Sequence, residues 1–454
     1  MRPLLLRGGR VIDPAAGIDG RHDVLANDGK IAAVAPGGTL AGPEDADIID
    51  CAGLWILPGL IDAHVHLRDP GFPEKETILS GLRAAAAGGF TAVAAMANTN
   101  PVNDAPEIAR HMLALAAAAG GARLIPVSAV TRGLAGRELV DFAAMAAAGA
   151  RLFSDDGMPI DDAALLREAF SRAAGVGFAI SLHEEDRALT GQGCCHAGAV
   201  AIRLGVAGIP TAAEAARIRR DLAIAADSGA PAHIAHISTA AGLKLVRAAK
   251  ARGANVTCEA APHHFTLDDA AFARHGPNAK MAPPLRAAED LAAIRAGLAD
   301  GAIDLIATDH APHDSASKRM ARFGPLFPGD REAAPLAPGD AAALAGAANG
   351  VVGLETALGL ALELVHNRLI DASRMAALMA ANPARLLRLE RQGTLIPGAL
   401  ADVSVIDPDA AWTVAPEKFL SKSRNTPFGG RRLKGAAAIT IVNGRIVYRA
   451  HRDK

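Results

Sequence analysis

Through the middle of the chain, short apolar runs alternate with longer stretches rich in alanine and leucine. The runs at 59–66, 91–97, 124–130, 150–153, 178–183, 232–236, 255–260 and 304–308 predict buried strands. Between them, apolar positions at helical spacing predict helices, most clearly over 107–119, 161–174, 211–228 and 240–251. Eight strand-then-helix units in this order are what an α/β fold of the (β/α)8 barrel type requires. A doubly wound sheet competes, but the glycine-rich phosphate turn that usually marks it early in the chain is absent. Leading into the first unit, Leu54-Trp55-Ile56-Leu57-Pro58-Gly59-Leu60-Ile61 reads as one buried strand.

Both ends have a different texture. Short β-like runs at 10–13, 23–26 and 31–34 surround a hairpin turn at Asn27-Asp28-Gly29-Lys30. Runs at 401–407, 439–442 and 445–448, with Asn443-Gly444 between the last two, repeat the pattern near the C-terminus. Neither end can bury much surface alone, so the two are expected to pair into one small β-sandwich module. The division expected is 1–56 and 391–454 for that module and 57–390 for the barrel. The stretch 314–348, rich in Pro, Gly and Ala, reads as a long loop after the eighth strand, and loops of that size are usually functional or mobile.

Composition narrows the picture further. Half of the 454 residues are apolar but only 3% are aromatic, so the core must be built from small aliphatic side chains. A formal net charge of −1 gives no electrostatic reason to expect nucleic acid or an anionic membrane as partner. Cys51, Cys194, Cys195 and Cys258 lack zinc-finger spacing, and an adjacent pair is a poor disulfide framework, which points to a reducing cytoplasm. The apolar start is too brief for a signal peptide, and no apolar span reaches membrane length. A soluble cytoplasmic protein is expected.

The chemistry gathers at the strand ends. His64 and His66 alternate with Val65 in an extended run, so both imidazoles point the same way, as a pair of zinc ligands would. Arg68, just beyond, offers a planar cation that can fork onto a carboxylate. Alone, such a pair is more often a polar strand end than a metal site. The other predicted strands change that balance. The fourth runs into Ser154-Asp155-Asp156-Gly157, the fifth into His183-Glu184-Glu185-Asp186, the sixth into His236-Ile237-Ser238-Thr239 and the eighth into Asp309-His310-Ala311-Pro312-His313. Barrel enzymes place their chemistry at this rim. His233, His263, His264 and His310 read as satisfied polar residues, His233 facing the helical shell. Four histidines and two aspartates at one rim suit a two-metal hydrolytic centre, with Asp309 placed to take a proton and return it to a leaving nitrogen.

These motifs, together with Met96-Ala97-Asn98-Thr99, Gly353-Leu354-Glu355-Thr356 and Asn425-Thr426-Pro427-Phe428, give the chain a close resemblance to the longer bacterial dihydroorotases of the amidohydrolase superfamily. The resemblance spans almost the whole sequence. It implies reversible cyclisation of N-carbamoyl-L-aspartate to L-dihydroorotate in pyrimidine biosynthesis, with one or two zinc ions per subunit and a ligand complement that suits two. By the same resemblance His64, His66 and Asp309 hold one zinc, His183 and His236 the other, and Asp156 bridges them. No lysine lies in the fourth strand, which favours this aspartate over the carboxylated lysine of related enzymes. Asp309 is also the implied proton shuttle, and His66, Arg68, Asn98 and His313 the implied substrate contacts. Arg68 discriminates here, because dihydroorotate carries a carboxylate that simpler cyclic ureides lack. A homodimer and an association with aspartate carbamoyltransferase are the implied assemblies.

The sequence departs from the family pattern at Ala282, where an asparagine is usual, at Ala97, and at Asn349-Gly350 in place of Phe-Gly. These changes bear on substrate binding and predict a retuned affinity. Two alternatives compete with the main reading. One is another cyclic amidase, of allantoinase or hydantoinase type, against which Arg68 and the missing lysine argue. The other is a non-catalytic scaffold for aspartate carbamoyltransferase, against which the full set of six ligands argues.

Overall fold

The computed structural model describes residues 2–319 and 338–450. Eight parallel strands form the central sheet in simple sequence order: Leu60–Val65, Phe90–Ala95, Arg123–Ser128, Leu152–Phe153, Ala179–Leu182, Ala232–Ile234, Val256–Ala260 and Leu305–Ile306. The first and last meet through a parallel bridge between Val65 and His310, where the His66 amide donates to the His310 carbonyl at 2.8 Å. The sheet thereby closes into the expected barrel. Helices lie outside it, and their ends follow local chemistry. Ala163–Val176, for example, starts at Asp162, whose carboxylate accepts from the Ala164 and Leu165 amides, and stops at Gly177 in the left-handed conformation.

The scarcity of aromatic residues is explained by the barrel interior. Ile61, Ala63, Ala92, Ala94, Ile125, Val127, Leu152, Ala179, Leu305 and Ala307 fill it, and Ala384 and Leu387 close it from below. Small side chains suit a space that layers of residues from opposing strands must share. The larger Phe90, Phe153, Phe170 and Phe265 pack in the layer between strands and helices.

The terminal strands join in one hydrogen-bonded sheet, in the order Arg445–Arg449, Arg432–Val442, Val403–Thr413, Trp55–Pro58, Leu4–Asp13, Ile18–Asn27, Lys30–Pro36, with Asp47–Asp50 also pairing with Leu4–Asp13. The sheet curls so that Ile31 donates to the Ala399 carbonyl at 2.9 Å and Ala401 to that of Gly29 at 2.9 Å. It encloses its own core of Leu6, Val11, Val24, Ile56, Val403 and Ile441. Chain segments about 350 residues apart in sequence thus meet in one module, as their shared texture predicts.

Two readings need correction. The run from Leu54 to Ile61 is two strands: Trp55–Pro58 pairs antiparallel with 403–406 in the terminal sheet, and Leu60–Val65 opens the barrel. The break falls at Gly59, where a Cβ would lie 2.1 Å from the Thr91 hydroxyl. Replacing this glycine with alanine should cost about 1–3 kcal/mol by overpacking, measured by denaturant unfolding. The second correction concerns the long loop at 314–348: it contains a helix, Ala341–Gly346. Its segment 320–337 lies outside the described residues.

Candidate metal centre

The first strand does not deliver its histidines by simple alternation. Ile61 and Ala63 face the barrel interior, whereas Val65 and Leu67 face the outer layer, so the phase flips between Ala63 and Val65. The pairing register shifts at the same place, between Asp62 and Val65. Irregularities of this kind re-aim side chains and are common beside active sites. Here the result is that His64 and His66 turn inward above Ala63. The Asp62 carboxylate holds the distortion, accepting from the His64 amide at 3.1 Å and from the Thr308 amide, just beyond the eighth strand, at 3.0 Å.

Three further residues at this rim adopt positive φ despite carrying side chains: Arg68 at 58°, His236 at 30° and Asp309 at 47°. Such backbones cost free energy and cluster at functional sites. After the fourth strand, two neighbouring acids divide their tasks. Asp155 turns outward and accepts from the Val130 amide at 2.7 Å and the Thr131 amide at 3.0 Å. Asp156 thereby faces the opposite way, into the centre.

Asp156 is the hub. Its carboxylate oxygens lie 3.5 Å from His64 Nε2, 3.4 Å from His66 Nε2, 3.4 Å from His183 Nδ1 and 3.6 Å from His236 Nε2. Ligand atoms of His64, His66 and Asp156 fall within 4.8 Å of one another, and so do those of Asp156, His183 and His236. Asp309 borders the first group, its Oδ1 3.2 Å from His66 Nε2 and 3.7 Å from His64 Nε2. All six side chains are buried. Burial opposes a charge on Asp156 and Asp309, but the surrounding histidines outweigh it and hold both carboxyls below the usual range.

The outward ring nitrogens fix which nitrogen faces in. His64 Nδ1 donates to Glu259 Oε1 at 2.7 Å, and His66 Nδ1 to Asn98 Oδ1 at 2.8 Å. His183 is reversed, with Nε2 3.3 Å from Glu185 Oε2 and Nδ1 toward the centre. A histidine that donates one N–H outward presents the other nitrogen's lone pair inward, which is the arrangement of metal-ligating histidines. His64 Nε2 and Asp156 Oδ1 are buried without a hydrogen-bond partner among the described residues. Such atoms are costly in a folded interior, and a cation between them would satisfy both. The donor set fits a metal.

Glu259 escapes sequence reasoning. It bridges His64 and His233, whose Nε2 lies 3.0 Å from Glu259 Oε2. His233 is therefore satisfied as expected, but from within the barrel and in support of the site, and it does not face the helical shell. The available signal was a charged residue inside the otherwise uncharged strand Val-Thr-Cys-Glu-Ala. Glu76 also escapes notice. It is fully buried, 3.4 Å from His310 Nε2, and receives the Lys422 amide at 3.2 Å.

On the outer side of the centre, Arg68 Nη2 donates to His313 Nε2 at 3.3 Å and Arg68 Nε to the Pro312 carbonyl at 3.3 Å. Burial, only partly offset by Asp309 and Asp156, lowers the guanidinium to about 10, so it stays charged at neutral pH. Burial and the charges of Arg68, Lys318 and Lys75 push His313 down to about 2, leaving it neutral. His263 and His264 pack edge to face with ring centroids 4.3 Å apart, and burial pushes His263 down to about 4.

A closed parallel barrel with histidines and carboxylates converging on its C-terminal rim, beside a sheet made from both chain ends, is the architecture of the amidohydrolase enzymes. The solved structures agree: L-hydantoinase (dihydropyrimidinase) from Arthrobacter aurescens superposes with a TM-score of 0.85 at 25% identity, over 100% of this chain and 97% of its own. D-hydantoinase from Thermus sp. gives 0.80 at 24% identity, over 98% of this chain and 95% of its own. Sequence relatives narrow the class. The family model described as dihydro-orotase-like matches residues 53–242. Dihydroorotase from Geotalea daltonii is 46% identical, covering 98% of this chain and 99% of its own length, and that from Anaeromyxobacter dehalogenans is 46% identical over 98% of both. The chain belongs to the dihydroorotase family.

Proposed function

We propose that this protein is a zinc-dependent dihydroorotase, which converts N-carbamoyl-L-aspartate and a proton to L-dihydroorotate and water, and catalyses the reverse hydrolysis, in pyrimidine biosynthesis. Arg68 carries the choice of substrate. It is a charged guanidinium fixed in a left-handed turn immediately after the two histidines, and it sits beside a neutral His313. A ring that bears its own carboxylate is the matching ligand.

Six residues would hold the metal: His64, His66 and Asp309 on one side, His183 and His236 on the other, and Asp156 between them. Four inward nitrogens and a shared carboxylate support two zinc ions. Zinc bound there supplies Lewis acidity and lowers the pKa of water, so that an amide is hydrolysed at neutral pH. The chain's own groups do the rest. Arg68, with His313 and the free Asn98 amide nitrogen, orients the ring through its carboxylate. Asp309, placed between His66 and the substrate side, accepts the proton of the attacking water and delivers it to the departing ring nitrogen. Glu259 and Asn98 keep His64 and His66 in the tautomer that leaves Nε2 free. The free, buried cysteines Cys194, Cys195 and Cys258 support the cytoplasm as the working compartment, and among the described residues no helix is long and apolar enough to cross a membrane.

The deciding test is a substrate panel of dihydroorotate, dihydrouracil, hydantoin and allantoin. Turnover of dihydroorotate well above the others is expected, and turnover confined to the uncharged rings would reject the reading. Arg68→Met should keep its zinc but raise KM for dihydroorotate about 10- to 100-fold, the worth of lost charged hydrogen bonds. Steady-state kinetics alongside metal analysis separates the two effects.

A further inference from the structure

The segment 420–426 of the C-terminal module runs across the barrel rim as a strap. Glu355 accepts the Leu420 amide at 3.0 Å and the Ser421 amide at 3.1 Å. Glu76 accepts the Ser421 hydroxyl, and the Ser423 hydroxyl donates to the Lys75 carbonyl at 2.6 Å. Held in this way, the strap delivers Asn425 between two segments of the rim.

The Asn425 side chain is buried at 4% exposure, and its carboxamide makes three hydrogen bonds. Oδ1 accepts from the His313 amide at 3.0 Å, while Nδ2 donates to the Ala311 carbonyl at 3.0 Å and to the Gly350 carbonyl at 3.0 Å. Its backbone carbonyl accepts from Val352 at 2.9 Å. One carboxamide therefore ties the loop that carries His313 to the segment that carries Gly350. The same two segments are already paired, Ala311 donating to Val351 at 2.8 Å, and Gly350 donates onward to the Lys280 carbonyl at 2.9 Å. His313 in turn receives Arg68.

We infer that Asn425 is a positioning residue for substrate binding: its carboxamide sets where His313, and through it Arg68, stands relative to the metal centre. The C-terminal module is thereby part of the active site. The inference rests on the dihydroorotase reading, and it reaches a residue outside the metal ligands and the substrate contacts. Asn425 touches no reacting atom. It acts by holding the carboxylate-binding groups in register, and small misplacements of such groups are expensive.

The test uses the full-length zinc-loaded enzyme. For wild type, Asn425→Ala and Ser423→Ala, the kcat and KM for dihydroorotate, the bound zinc and the Tm are measured. Ser423 anchors the same strap to the Lys75 carbonyl without bonding to the segments of His313 and Gly350, so Ser423→Ala reports what looser anchoring alone does. Positioning predicts that Asn425→Ala raises KM about 10-fold or more, with kcat changed much less and zinc unchanged. Ser423→Ala should lower Tm with KM near the wild-type value. If Asn425→Ala does not fold, Gly350→Ala probes the same junction from the other side. Its Cβ would lie 2.6 Å from that of Ala311 at a φ of 128°, wedging the segments apart, and the same rise in KM is expected. An unchanged KM in Asn425→Ala, an equal shift in both strap variants, or loss of zinc would overturn the inference. A zinc-loaded wild type inert toward dihydroorotate would remove the functional reading and this inference together. An active wild type matched by Asn425→Ala removes the inference alone.

Discussion

Asp309→Ala should be folded and almost inert, with kcat for dihydroorotate reduced by roughly 1,000-fold or more, toward the upper end of what a general acid–base group contributes. Asp309 stands 3.2 Å from His66 Nε2 on a residue held at a φ of 47°, so its carboxylate is fixed where both metal and substrate would meet it. Two roles are assigned to one side chain, ligand and proton shuttle, and Asp309→Asn separates them. The amide keeps an oxygen for the metal but cannot take up a proton. Zinc content close to wild type with turnover as low as in Asp309→Ala would identify proton transfer as the larger loss. Activity of a tenth of wild type or more in either variant would rule out the shuttle. Circular dichroism and thermal melting check the fold, and the outcome should be the same in both directions of the reaction.

Asp156→Ala should have the second largest effect, and by a different route. Four histidine nitrogens lie 3.4 to 3.6 Å from this carboxylate, so under the proposed assignment its removal would take a ligand from both halves of the centre at once. Zinc measured by elemental analysis should fall from about two ions to less than one per chain. The loss of activity should exceed the roughly 100-fold cost of removing a supporting group at a metal site. Adding zinc in excess should restore little. If the variant instead retained two tightly bound zinc ions, Asp156 would not be the shared ligand. The neighbouring Asp155 sharpens the contrast, since it spends its oxygens on the Val130 and Thr131 backbone and faces away.

Much of this architecture is legible in the sequence because burial on both faces makes parallel strands read as continuous apolar runs. All eight barrel strands fall inside or within a residue of the expected runs, and the helices Thr211–Ser228 and Ala240–Ala251 match their predicted bounds. The merged reading of Leu54 to Ile61 shows the limit of that signal. An apolar run does not say which sheet each residue joins, and the split at Gly59 depends on Thr91, distant in sequence. The six candidate ligands are visible as a repeated pattern of histidine and aspartate after apolar runs. What aims them is not. The flip in phase near His64, the turn of Asp155 away from the centre and the positive φ at His236 arise from packing between strands. Glu259 and Asn425 are harder still, since their roles come from partners 195 and 112 residues away.

Hydrolysis of a carboxylated ring is expected to depend on the metal centre. The most direct measurement is dihydroorotate hydrolysis by chelator-treated protein as zinc is titrated back. No turnover is expected without metal, and recovery should saturate as zinc approaches about two ions per chain. Full turnover by protein shown to be metal-free would contradict it.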